Sequence, residues 1–326
     1  MIRIRECTDR EECRQIWKRV WPEKNIFDLW DVRSCFDRSF DRLPVFLVAE
    51  QDNRLQGLLP LSWIDEEQYY AVFPGETWQG KTWLEQNRIP AVSSQVREEL
   101  LASIPGPAHL RYLSPESVLI DGHTAEADET GYIFVPGHLD HSFNSYMQQF
   151  SKKFRKNCER ETSRFEASGV MFRHDDLSDV RHLFRMNIDG FGELSYFSDP
   201  RFLSSFEQLV EWLFNNGLLR ITTVIIGGVI AAVDIGAVLG RNYTVLAGGT
   251  NPEFQGVAKL INFHHLEISC AERFEIVDFL CGDFGWKERF HLTPRPLYQI
   301  TVGSGRRSES KVHAFSTVRS KDMTAV

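Results

Sequence analysis

Very little in this sequence points to a scaffold stapled by bonds or anchored in lipid. Only six cysteines occur among 326 residues, at positions 7, 13, 35, 158, 270 and 281, and no two form a CxxC pair. A chain of this length needs no disulfide framework, and the spacing is not that of a cysteine metal site. The cysteines are expected to be buried free thiols, and no metal ligand set is predicted. No apolar run approaches the roughly 18 residues that a membrane span requires, so no integral membrane segment is expected. The opening Met1-Ile-Arg-Ile-Arg-Glu is charged and strand-like, without the apolar stretch of a signal peptide; the expected compartment is the cytoplasm. Excess positive charge is missing too: the net charge of −8 argues against a broad DNA-binding surface, though not against a local anion pocket.

What is present is an ordinary globular composition, 42% hydrophobic and 25% charged, with 24 phenylalanines that predict ring-rich cores. The length suits two domains. Residues 2–7 alternate as an edge strand does, and Asp9 is placed to cap a helix running to Val20. A helix over 28–40 and a hairpin, Val45–Glu50 with Leu55–Leu61, follow. Between 75 and 135 frequent Gly and Pro break the chain; one helix is expected at 93–103 and an exposed loop from Asp121 to Gly131.

Periodicity sharpens from Ser142. Phe143, Met147, Phe150, Phe154, Cys158 and Phe165 predict one long helix ended by Gly169, then a strand from Val170. Helices follow over 179–189 and from Pro200 to Asn216-Gly217, where Pro starts and Gly stops the second. Strands are expected at 218–226, 229–239 and 243–248, the first two joined by Gly227-Gly228. The loop 249–256 leads into a helix over 257–273, and short strands lie at 276–280 and 297–302. The polar segment 304–326 lacks periodicity and is expected to be a mobile tail.

The piece that carries chemistry is the strand ending at Gly248, its loop, and the start of the helix at Val257. A helix N-terminus offers unpaired N–H groups and partial positive charge, so Gly256, Val257 and Ala258 form a candidate anion site, with Lys259 able to add charge. A plain strand-to-helix turn would need a glycine as well. Asp234 stands mid-strand among Ala231-Ala-Val and Ile235-Gly-Ala, where an acid should face a cleft or have a partner. Asp278 and Asp283 near the last strands are further acids. The cluster Lys152, Lys153, Arg155 and Lys156 can attract an anionic substrate or simply be a solvated face. His264 and His265 lie in a helix, where a half-buried histidine is the commoner outcome.

The order of elements from Val170 to Val302 resembles the GNAT acyltransferase superfamily. Lys153-Phe-Arg-Lys-Asn-Cys-Glu-Arg, Gly227-Gly-Val-Ile-Ala-Ala, Asn251-Pro-Glu-Phe-Gln-Gly-Val-Ala and Val277-Asp-Phe-Leu-Cys-Gly-Asp-Phe-Gly-Trp-Lys resemble the CelD/BcsL acetyltransferases, relatives of the Fem-type aminoacyl ligases. The first half resembles a second, weaker unit of the same kind. The resemblance implies an α+β fold of three layers: two tandem GNAT-like domains, 1–138 (degenerate) and 139–303, each a mixed, mainly antiparallel sheet flanked by helices.

It implies transfer of an acyl group from acetyl-CoA or another acyl-CoA, or from an acyl-carrier protein. The acceptor would be an amine or hydroxyl of a small molecule or a glycan or cell-envelope precursor. Leu246, Ala247, Gly248, Gln255, Gly256, Val257, Ala258 and Lys259 would hold the donor, while Lys153, Arg155 and Lys156, by their charge, are candidates to bind an anionic substrate such as a nucleotide-sugar or an acyl carrier. Lys287, in a segment resembling the Gly-x-x-x-Tyr/Phe-Lys-x-x-Phe ending of both families, would stabilise an oxyanion. A surface Lys287 paired with Asp283 is the plainer reading. Asp234 and Asp283 are candidate bases. The family pattern Arg/Gln-x-x-Gly-x-Gly/Ala has Glu253 at its first position here, and a carboxylate repels pyrophosphate. Two other readings stay open: a Fem-type aminoacyl-tRNA-dependent ligase, and a non-catalytic protein of polysaccharide assembly.

Overall fold

The computed structural model describes residues 2–78, 80–118, 125–282 and 285–303. The expected tail 304–326 and the candidate acid Asp283 lie outside them.

The first half begins with β1 (Arg3–Cys7), α1 (Arg10–Val20) and α2 (Trp30–Phe40). Asp9 caps α1, its side chain accepting from Glu12 N at 2.8 Å. A meander follows, β2 (Pro44–Gln51), β3 (Arg54–Ile64) and β4 (Tyr69–Val72), then α3 (Ser94–Ala102), β5 (Ala108–Leu113), α4 (Pro115–Val118) and β6 (Glu126–Phe134). Arg33 on α2 is the polar centre of this half. Buried beneath Trp17 and Trp21, it donates to Phe27 O (2.7 Å), Phe73 O (2.6 Å) and Asn87 Oδ1 (2.8 Å). Burial lowers its pKa to about 9, which still leaves it charged at neutral pH.

Of the loop expected at 121–131, residues 121–124 lie outside the described residues, and from Glu126 the chain is strand β6 rather than loop. Its polar sequence hid it, because its stabilising partners are charges rather than an alternating apolar face. Asp128 accepts from Arg111 Nε at 3.1 Å, and Glu129 from Lys81 Nζ at 2.8 Å.

The second half runs α5 (Phe143–Gln148), α6 (Lys152–Ala167), β7 (Val170–His174), α7 (Val180–Phe191), α8 (Pro200–Asn215), β8 (Leu219–Ile226), β9 (Val229–Leu239) and β10 (Asn242–Thr250). It ends with α9 (Val257–Ala271), β11 (Ile276–Asp278), α10 (Trp286–Arg289) and β12 (Thr293–Val302). The single helix expected from Ser142 is two, because Ser151 starts a new one by accepting from Phe154 N.

All strands belong to one mixed sheet in the order β1-β2-β3-β4-β5-β12-β6-β11-β10-β9-β8-β7. The last strand thus returns to the first half, between β5 and β6, while β6 pairs with β11 of the second. Helices cover both faces. On one, α2, α7 and α8 share a core in which Trp83 packs on Phe27, Phe36 and Phe206 and so ties the halves together. On the other, α9 covers β8 to β10 with Val257, Ile261 and Leu266. The result is a three-layer α+β arrangement, one mixed sheet between two layers of helices.

Arg33→Leu keeps the apolar bulk but strands three buried acceptors. A loss of about 3 kcal/mol or more is expected in urea unfolding; unchanged stability would show that these carbonyls find other donors.

Candidate functional site

β10 and β11 run parallel, but only Asn242↔Ile276, Tyr243↔Val277 and Thr244↔Asp278 are in register. Beyond that the strands part. β10 is bulged between Val245 and Ala247, which turns its course. On the other side Asp278 ends β11: its Oδ1 accepts from Leu280 N at 2.9 Å, and Leu280 takes a left-handed φ of 58°. α7 presses on β10 after the bulge, since a Cβ on Gly249 would stand 2.7 Å from Leu183 O. Asn187 on α7 donates to Gly248 O at 2.8 Å. Leu246, Ala247 and Gly248 therefore lie on β10 past its pairing with β11, and the chain leads from there through the 251–256 loop to the start of α9.

At that start Gly256 is the N-cap, with φ 87° and no side-chain cap. Among the described residues the N–H groups of Gly256, Ala258 and Lys259 meet no acceptor, whereas Val257 N is used by Phe254 O. Glu253 is exposed, its N–H held by Asn251 Oδ1. Lys259 turns away from the loop and pairs with Glu161 on α6. The cation at the loop is Arg164 instead, whose Nη2 donates to Gln255 O at 2.8 Å and would lie 3.6 Å from a Cβ on Gly256. Free N–H groups beside a guanidinium suit a pyrophosphate, so the residues present fit the anionic part of coenzyme A.

Asp234 does have a partner. Its Oδ2 lies 2.9 Å from His265 Nε2, and His265 Nδ1 lies 3.2 Å from the Tyr243 hydroxyl, all three buried between the sheet and α9. This polar chain fixes α9 to the sheet and so the position of Gly256. Gly248 is required beside it, because a Cβ there would stand 2.2 Å from Asp234 Oδ1. The neighbouring His264 stacks on Phe172 at 3.8 Å, and burial drops its pKa to about 4.

Lys287 is buried rather than a surface lysine, and its Nζ donates to Phe279 O (2.8 Å), Leu280 O (2.8 Å) and Cys281 O (2.7 Å). An ammonium has three N–H donors, so none is left for an oxyanion. Lys287 fixes the backbone that follows β11, and burial lowers its pKa. Of the basic cluster, Lys153 and Lys156 are exposed, while Arg155 is bound to Gln148 Oε1 at 2.8 Å and Phe150 O.

The sequence did not reveal a buried charged group where the halves meet. Asp278 Oδ2 accepts from Gln86 Nε2 (2.8 Å) and Arg295 Nη1 (2.6 Å), so Asp278 is fully engaged. Glu85 Oε1 accepts from Cys281 N at 2.7 Å, whereas Oε2 has no hydrogen bond among the described residues and lies 3.5 Å from Arg295 Nη2. Burial pushes the Glu85 carboxyl up to about 7, with Asp278 adding to the rise and Arg295 opposing it. Glu85 and Cys281 are 196 residues apart in sequence and follow no motif, so spacing could not have found them.

The bulged β10 and the uncapped start of α9 lie in a stretch that resembles a GNAT domain. Residues 152–288 match the family model described as acetyltransferase (GNAT) domain, which supports acyltransferase activity in general terms. Among solved structures, FemX superposes with a TM-score of 0.58 at 10% identity, over 91% of this chain and 96% of that one. A conserved protein of unknown function from Bacteroides thetaiotaomicron VPI-5482 gives 0.56 at 14% identity, over 92% and 100%. L-PGS from Bacillus licheniformis gives 0.54 at 11%, over 90% and 91%. These likenesses are of fold. A search of curated proteins found no match. Among the described residues no helix is long and apolar enough to cross a membrane, and no group of His, Cys, Asp and Glu could hold a metal ion.

Lys287→Met leaves three carbonyls without their donor. A loss of at least about 3 kcal/mol is expected, with faster proteolysis around 279–285; wild-type stability and protease resistance would remove Lys287 from its supporting place.

Proposed function

We propose that this chain is a GNAT-type N- or O-acyltransferase that takes an acyl group from acyl-CoA or an acyl-carrier protein to an amine or hydroxyl. The observation that carries the reading is the parting of β10 and β11 after three paired residues, on a stretch that matches the GNAT domain family. Unpaired strand edge beyond Thr244 offers backbone groups to an extended thioester arm, and the parted strands give it a channel through the sheet.

Gly256, Ala258 and Lys259 N–H with Arg164 would hold the pyrophosphate; the thioester, when bound, supplies an activated acyl carbon. Leu246, Ala247 and Gly248 would line the path toward it, on an edge left unpaired because β11 ends at Asp278. The acceptor, a small molecule or a cell-envelope precursor, would enter from the seam between the halves, where Trp78 and Tyr196 pack at 4.7 Å. A seam between two packed units is where such pockets concentrate. The Arg164 guanidinium answers the Glu253 departure: the charge that the family pattern places in the loop comes here from α6.

Coenzyme A and acetyl-CoA are expected to raise the melting temperature, because a ligand that binds only the native state stabilises it. Arg164→Ala should weaken that binding about tenfold while leaving the unliganded melting temperature near wild type. No shift with free coenzyme A, acetyl-CoA or longer acyl-CoAs would sink the coenzyme A donor and leave a carrier protein or aminoacyl-tRNA to be tested.

A further inference from the structure

We infer that Glu85, carried by the first half of the chain into the second, is the general base of the transfer and takes the acceptor's proton at Oε2. The inference rests on the acyltransferase reading above.

Three carboxylates stand near the parted strands among the described residues, and geometry separates them. Asp278 is closed: Oδ1 holds Leu280 N and Oδ2 holds Gln86 and Arg295. Asp234 is bound to His265 on the α9 side of the sheet. In Glu85, only 6% exposed, Oε2 is fully buried, accepts no hydrogen bond among the described residues and lies 3.5 Å from Arg295 Nη2. A buried oxygen left in that state is costly in a merely structural residue and is what a proton acceptor needs. Its other oxygen is fixed by the amide of Cys281, three residues past the end of β11, so the carboxyl is oriented as well as placed.

The surroundings poise the group. Burial and Asp278 favour the neutral acid, while Arg295 and the Cys281 amide favour the carboxylate, and the balance falls at about 7. Lys287 stands behind the 279–281 backbone, and the partly exposed Tyr196 and Cys281, with Glu129 beyond them, complete the ring of titratable groups. A base with a pKa near the working pH serves proton transfer best.

In the step, a lone pair on the acceptor nitrogen or oxygen forms the new bond to the acyl carbon, and the N–H or O–H proton passes to Glu85 Oε2. The carbon–sulfur bond breaks with its electron pair on sulfur. The Glu85 proton then goes to that thiolate, giving a free thiol and restoring the carboxylate.

The test compares the full chain with Glu85→Gln, which keeps the acceptor for Cys281 N but cannot take a proton. Thiol release from acetyl-CoA is followed with glucosamine as the amine probe and with water as the background acceptor, from pH about 5 to 9. The variant is expected to lose about a hundredfold or more at pH 7, within the usual range for a general base. It should also lose the acidic limb near pH 7 while keeping the acetyl-CoA melting shift. Wild-type release with the limb intact would overturn the role of Glu85 and spare the acyltransferase reading. Absence of both binding and release in wild type would overturn that reading, and this one with it.

A second measurement needs no turnover. A carboxyl whose pKa is raised on folding contributes stability that is fully present below its unfolded value and is lost as pH rises to about 7. Wild-type stability should therefore fall relative to Glu85→Gln between pH about 4.5 and 7 and then level off. Parallel curves would mean that Glu85 is already a settled ion pair with Arg295, which overturns the proposal even if wild type binds acetyl-CoA without releasing thiol.

Discussion

Asp278 is the residue on which the candidate site depends. As the last residue of β11 it could have continued the parallel ladder with β10; instead its Oδ1 takes the amide of Leu280 and turns the chain out of the sheet. Its Oδ2 gathers Gln86 from the first half and Arg295 from β12. One carboxylate thus ends a strand and joins the two halves at that end. Each bond is charge-assisted and buried, where such bonds are strongest and their loss most costly.

The residues around it divide into those that hold backbone and those free to act. Lys287 holds three carbonyls and Asn187 one; His265 and Tyr243 secure α9 through Asp234. What remains available is small: the amides at the start of α9, the Arg164 guanidinium, and one oxygen of Glu85. Among the described residues the candidate site is therefore a frame of held backbone with few unengaged groups, which would favour positioning over proton-rich chemistry under the proposed reading.

Much of the frame was legible in the sequence. Helical periodicity with Pro200 and Asn216-Gly217 located α8, and Gly227-Gly228 located the β8–β9 turn, because these signals are local. The loop into α9 was legible for the same reason. β6 was not, since its stability comes from Arg111 and Lys81, ion pairs that no alternation of apolar residues announces. Nor was Arg164 at the α9 loop, or Glu85 against Cys281; both are contacts between segments far apart in the chain. Lys287 was picked out for its motif, yet only coordinates could show that its three donors are occupied.

The return of β12 to lie between β5 and β6 has a consequence for how the chain is made. On the ribosome the first half emerges with β5 complete but lacking its neighbour, which is encoded in residues 293–302. Until those residues are synthesised, an unpaired strand edge is open to other nascent chains. Completion of the first half must wait until residues 293–302 have been made, so the two halves mature together rather than in turn.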